Sequence, residues 1–578
     1  MDPMQHTTSA GGRGFSRKWT FILLLAILCG TALGIYVWDK YVPNSKHEQP
    51  DFGGLKKPVF YQGKMMEHAA IGEKESLKLP IDTVKNELDP NLTYEASTGS
   101  IIITTQNKVV RLRTSQLTVM VNEKPFNLKF PAVEEGGIQF IPMDPLKSLY
   151  GVELRESEET GAVLMFKEGD SLHWSKAIAY PDKPERTIPL RSGPSIKNTI
   201  YVDLKQGERV LVWGEEGEWL HVQLPNGYMG YVKKDQLTPD QDEVIPKEEE
   251  PKSFVPWKPK RGKINVTWEQ IVNKNPDTSK IPAMPGLDVV SPTWFQLDDG
   301  EGTIKNAADP AYVKWAHANG YQVWALFSNG FEPKRTTDAL SSYDKRMKMI
   351  KQLLAYAQMY SLQGINIDFE NVSLKDKQNL VQFVREMTPL LHEQGLILSM
   401  DVTGKSDSES WSLFYDRKAL VDSLDYMMLM AYDEYWASSP KAGSVASLPW
   451  VEKSVVQLMK EDQIPASKLI LGIPFYTRIW TEDPKTGKVT SKAVFMETPQ
   501  RIIKEKKLTP VFSPETGQNY LEYQEDGKTI KIWMEDETSI KARMELVKKY
   551  DLAGVASWRR GYETPEVWSL IDSYLAGP

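Results

Sequence analysis

Apolar and polar positions change rhythm several times along this chain. From Trp19 to Trp38 the run WTFILLLAILCGTALGIYVW is almost wholly apolar. About twenty residues at about 1.5 Å each cross the hydrocarbon core of a bilayer, so the run predicts a membrane-spanning helix over 19–38. Trp at both ends suits the two interfaces, and Arg13, Arg17 and Lys18 predict a cytoplasmic tail over 1–18 with the remaining chain outside. A cleaved signal peptide competes with this reading. After a polar, proline-dotted tether, short apolar runs broken by turn residues predict a β-rich domain over 60–168. Within it LPIDTVK (Leu79 to Lys85) and IPMDPLK (Ile141 to Lys147) echo each other, and Val119 to Phe126 carries an Asn-Glu-Lys-Pro turn that predicts a hairpin. A second β-rich unit is expected over 186–238, where Trp219, His221 and Gln223 alternate with Leu220, Val222 and Leu224 as in a half-buried strand. Residues 239–260 hold Pro239, Pro246, Pro251, Pro256, Pro259 and an acidic run, the composition of an extended linker.

From Lys263 onward the rhythm changes again. Apolar strands alternate with amphipathic helices, the pattern of an α/β (β/α)₈ barrel over 261–578. Strands are expected at Ile264 to Thr267 or Val289 to Thr293, then near 322–327, 364–370, 397–402, 426–432, 469–475 and 554–558. Residues 479–533 are turn-rich and strand-like, and predict a small α+β insertion between the seventh and eighth strands.

One of these strands carries unusual chemistry. In Gln363-Gly364-Ile365-Asn366-Ile367-Asp368-Phe369-Glu370 the apolar positions Ile365, Ile367 and Phe369 alternate with an amide and two acids. Carboxylates on a buried strand face are costly unless paired. A solvated edge strand would make them ordinary, but the helical flanks argue for a central strand.

The octet resembles the D-G-x-D-x-D-x-E strand of glycoside hydrolase family 18, the chitinase-like TIM barrels, and most closely the Bacillus-type spore-germination and cell-wall branch. Gly364, Asp368 and Glu370 match, while Gln363 and Asn366 stand where that family usually has Asp. Further segments follow in the family's order. Met430-Ala431-Tyr432-Asp433 resembles its M-x-Y-D, Gly472-Ile473-Pro474-Phe475-Tyr476 its G-x-P-x-Y, and Gly554 to Trp558 its last strand. Phe327-Ser328-Asn329-Gly330 resembles its S-x-G-G strand except at Asn329. The resemblance implies Glu370 as general acid and then base. Asp368, about 7 Å away along the strand by Cα, would accept the substrate's acetamido N–H and raise the pKa of Glu370. Tyr432 would donate to the acetyl oxygen, Asp433 would contact the sugar and Trp558 would form an apolar floor. Met430, Tyr476 and Arg478 complete the expected substrate-binding set, the last two being equally suited to packing or rim charge. Asn366 is expected to hydrogen-bond Asp368 without taking up charge.

Two smaller resemblances accompany this one. The 60–168 block resembles the copper amine oxidase N-terminal-like (stalk) module, without a His cluster that would imply copper chemistry. Gly217-Glu218-Trp219-Leu220-His221-Val222 and Gly227-Tyr228-Met229-Gly230-Tyr231-Val232 resemble a bacterial Src-homology-3-like domain, a fold that commonly binds peptidoglycan stem peptides.

Composition narrows the field. A charged fraction of 25% and a hydrophobic fraction of 41% belong to a globular chain. A net charge of -7 without a basic patch gives no nucleic-acid signal. The single Cys rules out an internal disulfide framework, and Leu28 is too bulky before Cys29 for a lipoprotein site. No H-E-x-x-H, phosphate loop, dinucleotide fingerprint or G-x-S-x-G elbow occurs, so no metal and no cofactor is expected. The sequence therefore points to a membrane-anchored glycosidase of the cell-wall side acting on N-acetylated glycans, peptidoglycan or chitin-like. A non-hydrolytic glycan-binding or scaffolding protein on the same fold is the alternative.

Overall fold

The computed structural model describes residues 17–247 and 254–576. The expected cytoplasmic tail lies almost wholly outside the described residues, as does the middle of the linker. The described residues divide into two compact units, one formed by 17–90, 114–118 and 127–247, the other by 91–113, 119–126 and 254–576.

In the first unit the apolar run forms a helix, Arg17–Tyr41. Its stretch Trp19–Tyr41 is long and apolar enough to cross a membrane, with none of its apolar window buried. The two echoing segments prove to be equivalent strand-to-helix corners. Strands Lys78–Pro80 and Ile138–Pro142 pair antiparallel, and each runs through its proline into a short helix, Ile81–Glu87 or Met143–Tyr150. Proline lacks an N–H but needs none where a helix begins. A seven-stranded sheet takes in the stretch from Ile188 to Pro239, where a second β-rich unit is expected, and adds Trp174–Ala177 between Arg209–Glu216 and Leu237–Pro239. Trp219 is buried in it. A surface trio, Glu67, His68 and Asp82, brings its ligand-type atoms within 4.8 Å of one another. His68 Nδ1 and Asp82 Oδ2 are within hydrogen-bond reach of each other.

The second unit is built on eight parallel strands: β1 (Ile264–Glu269), β2 (Val289–Pro292), β3 (Gln322–Ser328), β4 (Gly364–Asp368), β5 (Ile397–Thr403), β6 (Tyr426–Met430), β7 (Leu469–Pro474) and β8 (Gly554–Trp558). Both candidates for the first strand are therefore strands. β8 pairs with β1, and β2 with β3, so the sheet closes into a barrel. Closure needs glycine at close approaches. A Cβ on Gly554 would sit 2.0 Å from the Ile264 carbonyl oxygen, and one on Gly472 would sit 2.4 Å from that of Leu429.

Alternation along the strands divides the apolar residues between two cores. Val266, Trp268, Trp324, Leu326, Tyr426 and Met428 fill the barrel interior. Ile365, Ile367, Phe369, Leu398, Met400 and Leu471 face the surrounding helices. Those helices include α1 (Pro310–Ala318), α2 (Tyr343–Tyr360), α3 (Lys377–Glu393), α4 (Leu448–Lys460), α5 (Glu537–Lys549) and α6 (Glu566–Leu575). Asp536 caps α5 in a capping box with Ser539. The insertion starts at Tyr476, directly after β7, as a five-stranded sheet with one helix, Glu497–Lys506.

Residues 91–113 and 119–126, inside the block expected as one stalk-like domain, join this second unit. Ile102 and Val109 enter the apolar layer around the barrel. Arg346 on α2 pairs with Glu95 at 2.7 Å and with Glu386 on α3 at 2.8 Å. Both oxygens of Glu95 accept from the backbone N–H of Tyr343, at 2.9 and 3.0 Å, where the α2 dipole favours a negative charge.

Candidate active site

β4 ends at the C-terminal mouth of the barrel, where such folds keep their chemistry. Its inward-facing positions are Asn366 and Asp368, with Glu370 two residues beyond Asp368 as the chain leaves the strand. Two contacts fix that exit. Asn329, fully buried at the end of β3, donates to the Glu370 carbonyl at 2.7 Å and accepts from the Glu370 N–H at 3.2 Å. The Tyr415 hydroxyl donates to the Phe369 carbonyl at 2.9 Å. The residue that departs from the S-x-G-G pattern thus holds the backbone of the proposed acid.

The carboxyls interact strongly. Burial, the charge of Asp368, the charge of Asp401 and a hydrogen bond with Asp368 push Glu370 well above the usual carboxylate range, and Asp433 adds to the effect. Burial lifts Asp368 to about 6 against the opposing hydrogen bond from Glu370. A third acid, Asp401 on β5, was not singled out from sequence. Burial and the charge of Asp368 raise it well above its ordinary value. The signal was available, because Ser399, Asp401 and Thr403 alternate with Leu398, Met400 and Val402 as on β4.

Asn366 does not bond to Asp368 as expected. Its amide nitrogen donates to Asp401 Oδ2 at 2.8 Å, and its oxygen accepts from Ser399 Oγ at 2.8 Å. Both partners are on β5, and together they turn the amide across the strand gap rather than along its own strand.

Tyr432 follows β6 and shares the mouth with these acids. Burial first, then Asp401, Tyr476, Glu370 and Asp368, raises its phenol well above its usual value, so it remains a hydrogen-bond donor. Trp268 meets Tyr432 edge-on at 6.4 Å between ring centroids and lies 6.0 Å from Trp558, making an aromatic wall. Met430 closes β6, half-buried beside Tyr432. Asp433, at φ 62°, accepts from the Tyr476 hydroxyl at 2.5 Å, and Arg478 Nη2 lies 3.6 Å from the same oxygen. Tyr476 and Arg478 therefore act on Asp433, and both are buried. Sequence reasoning also passed over a set of aromatic rings that follow the barrel strands in the chain, of which Phe331, Trp411, Trp436 and Phe495 are exposed. Phe331 and Trp411 lie 6.5 Å apart by centroid, Phe495 and Tyr562 lie 4.5 Å apart, and Trp436 is 53% exposed.

A closed (β/α)₈ barrel with paired, half-buried carboxyls, a phenol donor and an aromatic wall at its C-terminal mouth defines a glycosidase. The chain belongs to family 18 of the glycosyl hydrolases, whose model matches residues 268–563, just over half its length. Residues 60–165 match the copper amine oxidase N-terminal domain. Among curated proteins, the uncharacterized glycosylase YvbX of Bacillus subtilis (strain 168) is 28% identical over 282 residues, covering 47% of this chain and 80% of that protein. The cortical fragment-lytic enzyme of the same strain is 25% identical over 234 residues, covering 39% of this chain and 53% of that enzyme. The chain thus spans about half the length of the second relative. Among solved structures, the spore cortex-lytic enzyme SleL of Bacillus megaterium QM B1551 superposes with a TM-score of 0.50 at 22% identity, over 58% of this chain and 77% of that one.

Proposed function

We propose that this protein is a membrane-anchored glycosidase, facing the cell wall, that cleaves β-linked N-acetylglucosamine glycans of the peptidoglycan or chitin type with retention of configuration. The observation that carries the reading is the Glu370–Asp368 pair: two half-buried, interacting carboxyls at the barrel mouth whose surroundings keep Glu370 protonated while Asp368 ionises first. Glu370 gives its proton to the glycosidic oxygen as the bond to the anomeric carbon breaks. The substrate's own acetamido oxygen attacks that carbon, as the substrate-assisted members of this family do in place of a protein nucleophile. Asp368 accepts the acetamido N–H and balances the positive ring, and Tyr432 donates to the acetyl oxygen. Glu370 then takes a proton from the incoming water as its oxygen attacks the same carbon and displaces the acetamido oxygen, which restores the free acetamide. Trp558 supports the sugar face, and Asp433, steadied by Tyr476 and Arg478, accepts from a sugar hydroxyl. The half-exposed rings Phe331, Trp411 and Trp436 offer further stacking faces for a polymer, which suits aromatic-lined sugar sites.

The wall-directed part rests on the apolar helix at 19–41, the Src-homology-3-like sheet and relatives whose names refer to spore cortex. Purified full-length protein and its Glu370→Gln variant, incubated with peptidoglycan and with chitin oligomers, test the reading. Release of new reducing ends by the parent, reduced at least about 10³-fold in the variant, is expected. Equal release by the two overturns it. A full-length chain in membrane fractions supports the anchor, and a shorter chain beginning after the helix removes it.

A further inference from the structure

The mechanism leaves one buried acid unused. Asp401 is 1% exposed on β5. Its Oδ2 receives two donors, the Asn366 amide at 2.8 Å and the Trp268 indole N–H at 3.1 Å. Its Oδ1 is buried with no hydrogen-bond partner, and so is Oδ1 of Asp368 on the adjacent strand. Two bare carboxylate oxygens in one desolvated site are costly, because each forfeits its water without compensation. The groups facing Asp401 do not relieve it: they are the acids Asp368 and Glu370 from the β4 end, the phenol of Tyr432 from the β6 end and the phenol of Tyr415 beyond β5. No cation is among them.

A single proton resolves the arrangement. With both donors spent on Oδ2, the proton belongs on Oδ1, where it converts an orphan acceptor into a donor. Ser399, by donating to the Asn366 oxygen at 2.8 Å, fixes which end of the amide meets Asp401.

We propose that Asp401 stays a neutral carboxylic acid at neutral pH, protonated on Oδ1, so that the negative charge of the cluster is confined to Asp368. The inference rests on the glycosidase reading for its catalytic meaning, whereas the location of the proton does not. Asn366 is part of the device. An acid at 366 would add a fourth carboxyl to the cluster, whereas the amide donates to Asp401 and carries no charge. The burial and mutual repulsion that raise Asp401 act in the same direction.

Two measurements on the full chain decide it. In the first, infrared spectra at pH 7 compare Glu370→Gln with Glu370→Gln/Asp401→Asn. The carbonyl stretch of a protonated carboxylic acid is expected in the former and missing from the difference partner. An identical band in both overturns the proposal even if the protein hydrolyses nothing. In the second, kcat and KM are measured against pH. Asp401→Asn, neutral and of the same shape, should leave the acid limb in place and kcat within about threefold of the parent. An acid limb moved to lower pH in Asp401→Asn, the response to removing a negative charge beside Asp368, overturns the proposal.

Discussion

At the scale of single residues, the site works by making carboxyls hard to ionise in sequence. Asp368, raised to about 6, ionises first, and its charge then holds the proton on Glu370. Activity should therefore rise as pH passes about 6 and fall at higher pH as Glu370 loses its proton. Replacing Asp368 by Asn removes the charge that raises Glu370, so the alkaline limb should move to lower pH while kcat drops about 10²-fold or more, read from the pH profile of sugar release. The same shift has a stability cost. A carboxyl whose folded-state pKa is raised favours the fold below its unfolded pKa and loses that contribution as pH rises through the folded value. Glu370→Gln cannot ionise, so at pH 7–8 its barrel should melt no lower than the parent and by about 2–4 °C higher, with the gap closing near pH 4. Melting curves at the two pH values check this, and a variant that melts lower at pH 8 contradicts it. Glu370 and Asp368 were legible because acids alternating with Ile and Phe break the rule for a buried strand. Asp401 escaped notice because a lone acid among Leu, Met and Val looks like a local exception until β5 is laid beside β4. Asn329 escaped because a family glycine position filled by an amide reads as a loss, whereas its side chain grips the Glu370 backbone in both directions.

At the scale of elements, the barrel strands were readable because each is a short apolar run between helical stretches. The first two were ambiguous because only a loop, with no α-helix, separates β1 from β2. The strands of 91–126 were read as strands, but nothing in their pattern said what they cover. Pairing of distant segments is written in complementary side chains rather than in periodicity. Here the decisive groups are Arg111 with Asp344 at 2.6 Å, Tyr343 with Glu123 at 2.7 Å, and the buried Arg346 between Glu95 and Glu386. Glu386 is fully buried. Replacing Arg346 by Met leaves that carboxylate without its cation, which costs about 3–5 kcal/mol in such settings. Urea unfolding should show that loss, and adding Glu386→Leu should recover part of it by removing the orphaned charge. A single Met variant as stable as the parent would mean that the network contributes nothing net. The site itself, on the barrel's mouth, should keep its KM in whatever fraction remains folded.

At the scale of the whole molecule, sequence boundaries and folding boundaries differ. The family match begins at Trp268 and a linker precedes it, so a barrel cut near residue 254 looks self-sufficient on paper. Yet residues 91–113 and 119–126 pack with the barrel, place Ile102 and Val109 in its outer apolar layer, and cap α2 through Glu95. A fragment of 254–578 would expose that apolar surface and leave Arg346 and Glu386 with one partner fewer between them. Burying apolar surface stabilises by about 25 cal/mol per Å², so even a few hundred Å² lost amounts to several kcal/mol, a large part of a domain's net stability. The fragment should therefore be poorly soluble or melt well below the corresponding transition of a chain spanning 42–578. Supplying residues 60–168 in trans should raise its melting temperature, whereas a version carrying Glu95→Ala and Arg111→Ala should raise it less. If 254–578 melts with the longer chain and ignores the added segment, the strands of 91–126 are passengers on the barrel rather than part of its fold.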